Sequence, residues 1–241
     1  MPQDLSEHIV KSYDEQLKRL RELVVRMGGL AERQLADSTT ALMQRNAEFA
    51  GQIIERDAEI NALEREIEAF CIQLLALRQP VAQDLRFIIA CLKVAHNLER
   101  IGDYARNAAK RTVVLASLPH VGSMNGFEWM ARLVQQNLKD AIDALVNQDA
   151  AAAERVWGAD EAVDKIYNGI FRELLTHMME DPRNITAATH MMFIAKNFER
   201  IGDHATNIAE TVHYAIVGDT LPEDRPKSDG SNYAVVRPPA D

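Results

Sequence analysis

Ala95-His96-Asn97-Leu98-Glu99-Arg100-Ile101-Gly102-Asp103 returns one hundred residues later as Ala195-Lys196-Asn197-Phe198-Glu199-Arg200-Ile201-Gly202-Asp203. Comparing 95–109 with 195–209, ten of fifteen positions are identical: 95, 97, 99 to 103, 105, 107 and 109. Chance does not produce such a match, so the chain contains an internal duplication. A second correspondence lies upstream at an offset of 103. Asp57, Asn61 and Leu63 match Asp160, Asp164 and Ile166, Ile67 matches Ile170, and Ala41-Leu42 matches Ala144-Leu145.

Outward from the repeat, the apolar residues recur in steps of three and four. Ile53, Ile60, Leu63, Ile67, Cys71 and Leu74 form one stripe; Ile88, Cys91, Ala95, Leu98, Gly102, Ala105 and Ala109 form another. This is the spacing of an amphipathic helix with one buried face, and no stretch alternates with period two. The prolines at 80, 119 and 182 punctuate long windows free of them, as a residue that breaks helix interiors should. The spacing therefore predicts an all-α fold of two tandem, pseudo-symmetric three-helix bundles. Its six long helices are expected over residues 4–46, 48–77, 81–117, 126–147, 149–179 and 183–217. The first bundle takes residues 1–117 and the second 126–217. Residues 118–125, rich in Gly, Pro and Ser, form a hinge, and 218–241 a flexible tail.

The 241 residues carry 27 Lys or Arg against 36 Asp or Glu, a formal charge of −9. Scattered basic residues in an acidic chain argue against a phosphate-backbone binder and so against nucleic acid. No run reaches the ~18 apolar residues of a membrane span, and no signal peptide opens the chain. The expected setting is the cytoplasm, without direct membrane insertion. Cys71 and Cys91 lie within apolar stripes and read as buried thiols. Gly28-Gly29 reads as a close-packing or kink site; a phosphate loop would need a preceding strand and a following Gly-Lys.

Residues four apart share a helix face. Glu99 with Asp103, Glu199 with Asp203 and Asp160 with Asp164 are thus paired carboxylates, and Asp57 with Asn61 is a fourth pair. Like charges so placed repel mildly, and a cation offsets that repulsion. At ~100° per residue, Glu99 and Asp103 stand about 80° and 120° from their apolar stripe. An open acidic ridge on the bundle surface is the expectation. Oxygen ligands suit hard ions such as Mg, Ca, Mn or Fe, with Zn also in the candidate set. Gly102 and Gly202 occupy the place where bundle di-iron enzymes carry the His of Glu-x-x-His, which weakens a redox-enzyme reading. His96 and His204 adjoin the ridge and are the only general-base candidates for a metal-dependent hydrolase or oxidase. Arg100 and Arg200 are expected in surface salt bridges.

With Arg78-Gln79-Pro80-Val81-Ala82-Gln83-Asp84-Leu85-Arg86 opening the third helix, and the Glu-Arg-Ile-Gly-Asp text doubled, residues 4–217 resemble the PhoU family of bacterial phosphate-signalling proteins. The resemblance implies multinuclear metal sites on the bundle surface at Glu99/Asp103 and Glu199/Asp203. Asp57/Asn61 and Asp160/Asp164 are their companions, and Asn61 leaves the first site one charge weaker. It implies regulation without catalysis. Such a cytoplasmic adaptor links the ATP-binding subunit of the phosphate ABC transporter to a sensor histidine kinase, and represses the starvation response when phosphate is plentiful. Apart from the resemblance, helix faces that a three-helix unit leaves apolar point to self-association, and a homodimer is the expectation.

Overall fold

The computed structural model describes the backbone from residue 2 to 222 and side chains from residue 12 onward; of the expected tail, residues 223–241 lie outside the described residues. Helices α1 (Pro2–Gln44), α2 (Ala47–Arg78) and α3 (Ala82–Leu115) form the first bundle. Helices α4 (Asn125–Asn147), α5 (Ala150–Gly158), α6 (Asp160–Glu180) and α7 (Ile185–Val217) form the second, with a 3₁₀ turn at Pro182–Asn184. No strand occurs among the described residues.

Both apolar stripes read from the sequence are buried throughout. The single helix expected over 149–179 is instead two. Gly158 has poor helix propensity, and beside it the chain tightens into i→i+3 hydrogen bonds from Ala159 N to Val156 O and from Ala162 N to Ala159 O. The first half has no such break: α2 runs 32 residues without interruption.

The duplication extends to the turns. Arg45 and Gln148, in matching positions, both adopt left-handed backbone (φ 50° and 53°). Each is followed by a side-chain N-cap, Asn46 accepting from Phe49 N and Asp149 accepting from Ala152 N, both at 2.9 Å. Such caps contribute about 1 kcal/mol each.

The two bundles share one continuous apolar core. Helices α3 and α7 run antiparallel along the seam, as the pairings Arg86–Ala215, Asn97–His204, Tyr104–Arg200 and Arg111–Phe193 show. Helices α1 and α4 also meet. A Cβ on Gly28 would lie 2.5 Å from Ile142 Cδ1, so Gly28 permits that approach, while nothing lies within 4 Å of one on Gly29. Between α3 and α4, Val121 is buried and Ser123 N donates to Glu173 Oε1 at 3.1 Å.

Candidate functional site

Where α2 crosses α3, the absent side chain at Gly102 leaves room for Ile60, whose Cδ1 would stand 2.9 Å from a Cβ there, and Asp57 lies beside it, its Oδ1 at 3.6 Å. Asp57 is only 3% exposed. Its Oδ1 accepts from Gln34 Nε2 at 2.9 Å, and its Oδ2 accepts from Asn61 Nδ2 at 3.2 Å and pairs with the Arg106 guanidinium. Gln34 also donates to the Gly102 carbonyl at 3.0 Å. The other arm of Arg106 lies 2.7 Å from Asp103, and Arg100 reaches both Asp103 and Glu99, at 3.6 and 3.5 Å. The first set of carboxylates is thus threaded by guanidinium groups.

The second set has other neighbours. Thr206 replaces Arg106; its hydroxyl lies 3.4 Å from Asp160 Oδ1 and 3.1 Å from the Gly202 carbonyl. Lys196 replaces His96, and its ammonium donates to Glu199 Oε1 at 2.8 Å while standing 5.0 Å over the Tyr167 ring. The other oxygen, Glu199 Oε2, is buried without a hydrogen-bond partner. Burial pushes the Glu199 carboxyl above its ordinary range; the Lys196 hydrogen bond opposes that, and Asp203 and Asp164 add to it. Glu99 is pushed up likewise, first by burial, then by Asp103.

The open acidic ridge is therefore corrected. Asp57, Asp160 and Asp164 are each 3% exposed and Glu199 is 6% exposed; only Asn61, Glu99, Asp103 and Asp203 are half-buried. An angle measured on one helix ignores the second neighbour, and α1 and α4 close over the seam that a two-helix view leaves open. Arg200 is corrected too: it donates to Tyr104 Oη at 3.3 Å and lies 5.5 Å over that ring. Cys71 and Cys91 are buried in the core, and burial lifts the Cys71 thiol to about 12 and Cys91 higher still.

Among the described residues, one group brings three ligand-type atoms within 4.8 Å of one another: Glu64, His96 and Glu99. Of these, the paired-carboxylate pattern named only Glu99. Glu64, Gln34 and Arg106 are additions from the structure. Gln34 carried a signal, being a polar residue within the apolar stripe of α1, and so did Arg106, one of the five positions at which the repeat text differs.

The PhoU domain pattern matches residues 24–112 and again 127–212. The chain belongs to the PhoU family. It is 48% identical over 226 residues to the phosphate-specific transport system accessory protein PhoU homolog of Caulobacter vibrioides, covering 93% of this chain and 98% of that one. A crystal structure of PhoU from Pseudomonas aeruginosa superposes with a TM-score of 0.81 at 39% identity, over 86% of this chain and all of that one. The phosphate transport system regulatory protein PhoU from Streptococcus pneumoniae gives a TM-score of 0.81 at 28% identity, over 87% of this chain and 99% of that one. Among the described residues, no helix is long and apolar enough to cross a membrane.

Proposed function

We propose that this chain is the accessory regulator of a phosphate-specific transporter, acting in the cytoplasm as a homodimer to hold the phosphate-starvation response off when phosphate is plentiful. The observation that carries this reading is the 48% identity, over nearly the whole of both chains, to an accessory protein of phosphate-specific transport. Its partners are the ATP-binding subunit of the phosphate ABC transporter and the sensor histidine kinase of the response. The role is one of binding, without turnover.

In this reading the carboxylates are cation sites. Asp160, Asp164, Glu199 and Asp203 form the second, and Glu99 and Asp103, with Asp57 and Asn61 beside them, the first. Glu199 Oε2, buried and without a hydrogen-bond partner, fits a cation, because an unsatisfied buried carboxylate oxygen is costly. Mg, Mn, Fe and Zn all take carboxylate oxygen. A bound ion would supply the positive charge that lets these side chains remain ionised inside the bundle.

Deletion of the gene tests the role: alkaline phosphatase is expected to rise in phosphate-replete cells, and the tagged chain to capture the transporter ATPase and the kinase. A deletion strain that stays repressed, with neither protein captured, overturns it.

A further inference from the structure

We propose that the first half holds a single divalent transition-metal ion between Glu64, His96 and Glu99, one helical turn before the Glu99/Asp103 pair, and that the second half carries a built-in ammonium in the equivalent place. The location is read from the geometry, while the presence of a cation rests on the metal reading above.

The first observation is the trio itself. Glu64 comes from α2 and His96 and Glu99 from α3, with His96 Nδ1 3.3 Å from Glu64 Oε1. Bonds of ~2.0–2.2 Å to imidazole nitrogen and carboxylate oxygen bring ligand atoms to such separations. His96 is exposed, so water can complete the coordination from outside. Glu99 Oε2 is buried without a hydrogen bond, its nearest cation being Arg100 Nε at 3.5 Å.

The duplicate supplies the second, independent observation. At the repeat's offsets, Tyr167 holds the place of Glu64, Lys196 that of His96 and Glu199 that of Glu99. There an ammonium sits 2.8 Å from the glutamate and 5.0 Å from the tyrosine ring. The second copy thus places a covalently attached cation where the first copy places metal ligands. Both substitutions point the same way. Lysine brings a charge but no lone pair to offer, and tyrosine trades a carboxylate for a ring face that favours cations.

Within the first half, guanidinium groups already bring positive charge to the motif centre. Arg106, Gln34 and Asn61 all donate to Asp57, and Arg106 and Arg100 flank Asp103. An added ion is thereby displaced toward Glu64 and His96. An imidazole ligand in the trio favours Mn, Fe, Co or Zn over Mg and Ca.

Titration of the metal-free full chain with Co²⁺, followed by visible absorption, tests this. One ion with nitrogen ligation is expected per chain. His96→Lys should weaken it at least tenfold, while His96→Asp, which keeps a ligand, retains most of the affinity; unchanged melting temperatures show that each variant is folded. Undiminished Co²⁺ binding in both His96→Lys and Glu64→Gln overturns the proposal. If binding is then lost in Asp103→Asn/Asp203→Asn, the motif reading survives alone. Wild-type protein that takes neither Co²⁺ nor Mn²⁺ sinks both.

Discussion

The rings of Tyr104 and His204, which occupy the same position in the two copies of the repeat, stack across the α3–α7 seam with centroids 5.6 Å apart and planes tilted by 34°. Residues related by the duplication touch each other, which places a local two-fold axis close by. The same seam holds His204 Nδ1–H, donating to Asn97 Oδ1 at 2.8 Å.

This environment makes His204 a source of acid sensitivity. Burial, chiefly, pulls its pKa from 6.5 to about 4, with His96, Arg100 and Arg200 assisting and Asp203 opposing. The unfolded chain binds a proton near pH 6.5 and the folded chain does so only near 4, so stability falls as pH drops through that window. After discounting for solvent screening, the loss is about 1–2 kcal/mol. Urea unfolding at pH 7 and pH 5 should show a smaller decrease for His204→Gln than for the wild type. Equal decreases would contradict the account.

Arg106 is the internal cation of the first half, and its counterpart Thr206 marks where the two halves differ. Arg106→Thr leaves the carboxylate of Asp57 buried without its guanidinium, which should cost about 3 kcal/mol. Adding Asp57→Asn should restore much of that loss, because the stranded charge goes. A double-mutant cycle by chemical denaturation reads the coupling; strictly additive effects would rule the pair out.

Adjacent glycines in α1 should respond in opposite directions. Gly28→Ala drives a methyl group against Ile142 Cδ1 and is expected to destabilise by about 1–3 kcal/mol. Gly29→Ala meets no atom within 4 Å and should stabilise by about 1 kcal/mol through helix propensity. Thermal melts of the two variants decide it, and shifts of the same sign would refute the packing described for α1 and α4.

The cysteines should be inert in the folded chain. Burial lifts Cys71 to about 12 and Cys91 further, so neither is a thiolate at neutral pH. Labelling with a thiol reagent should be slow until denaturant is added. Rapid modification of the native protein would contradict the buried placement.

Most of the architecture was legible because helical periodicity and proline punctuation are local. Ile88, Cys91, Leu98 and Gly102 announce one buried face without reference to any partner. The break at Gly158–Asp160 was harder to read, since a single glycine competes with strong flanking helix formers. At the site, the motif pairs identified carboxylates that share a helix face but not what stands opposite them. Gln34 lies 23 residues before Asp57 and Arg106 lies 49 after it, and no spacing rule connects such positions. The informative signal lay in the differences between the copies. Of the five unmatched positions, His96/Lys196, Tyr104/His204 and Arg106/Thr206 govern the trio, the seam and the charge around Asp57.

Metal content of protein purified without chelator, read by elemental analysis beside the Asp103→Asn/Asp203→Asn variant, tests most directly whether the paired carboxylates serve cations. The account predicts bound Mn, Fe, Zn or Mg in the wild type and a clear fall in the folded variant. Wild-type protein free of metal, or a variant that retains the full complement, would contradict it.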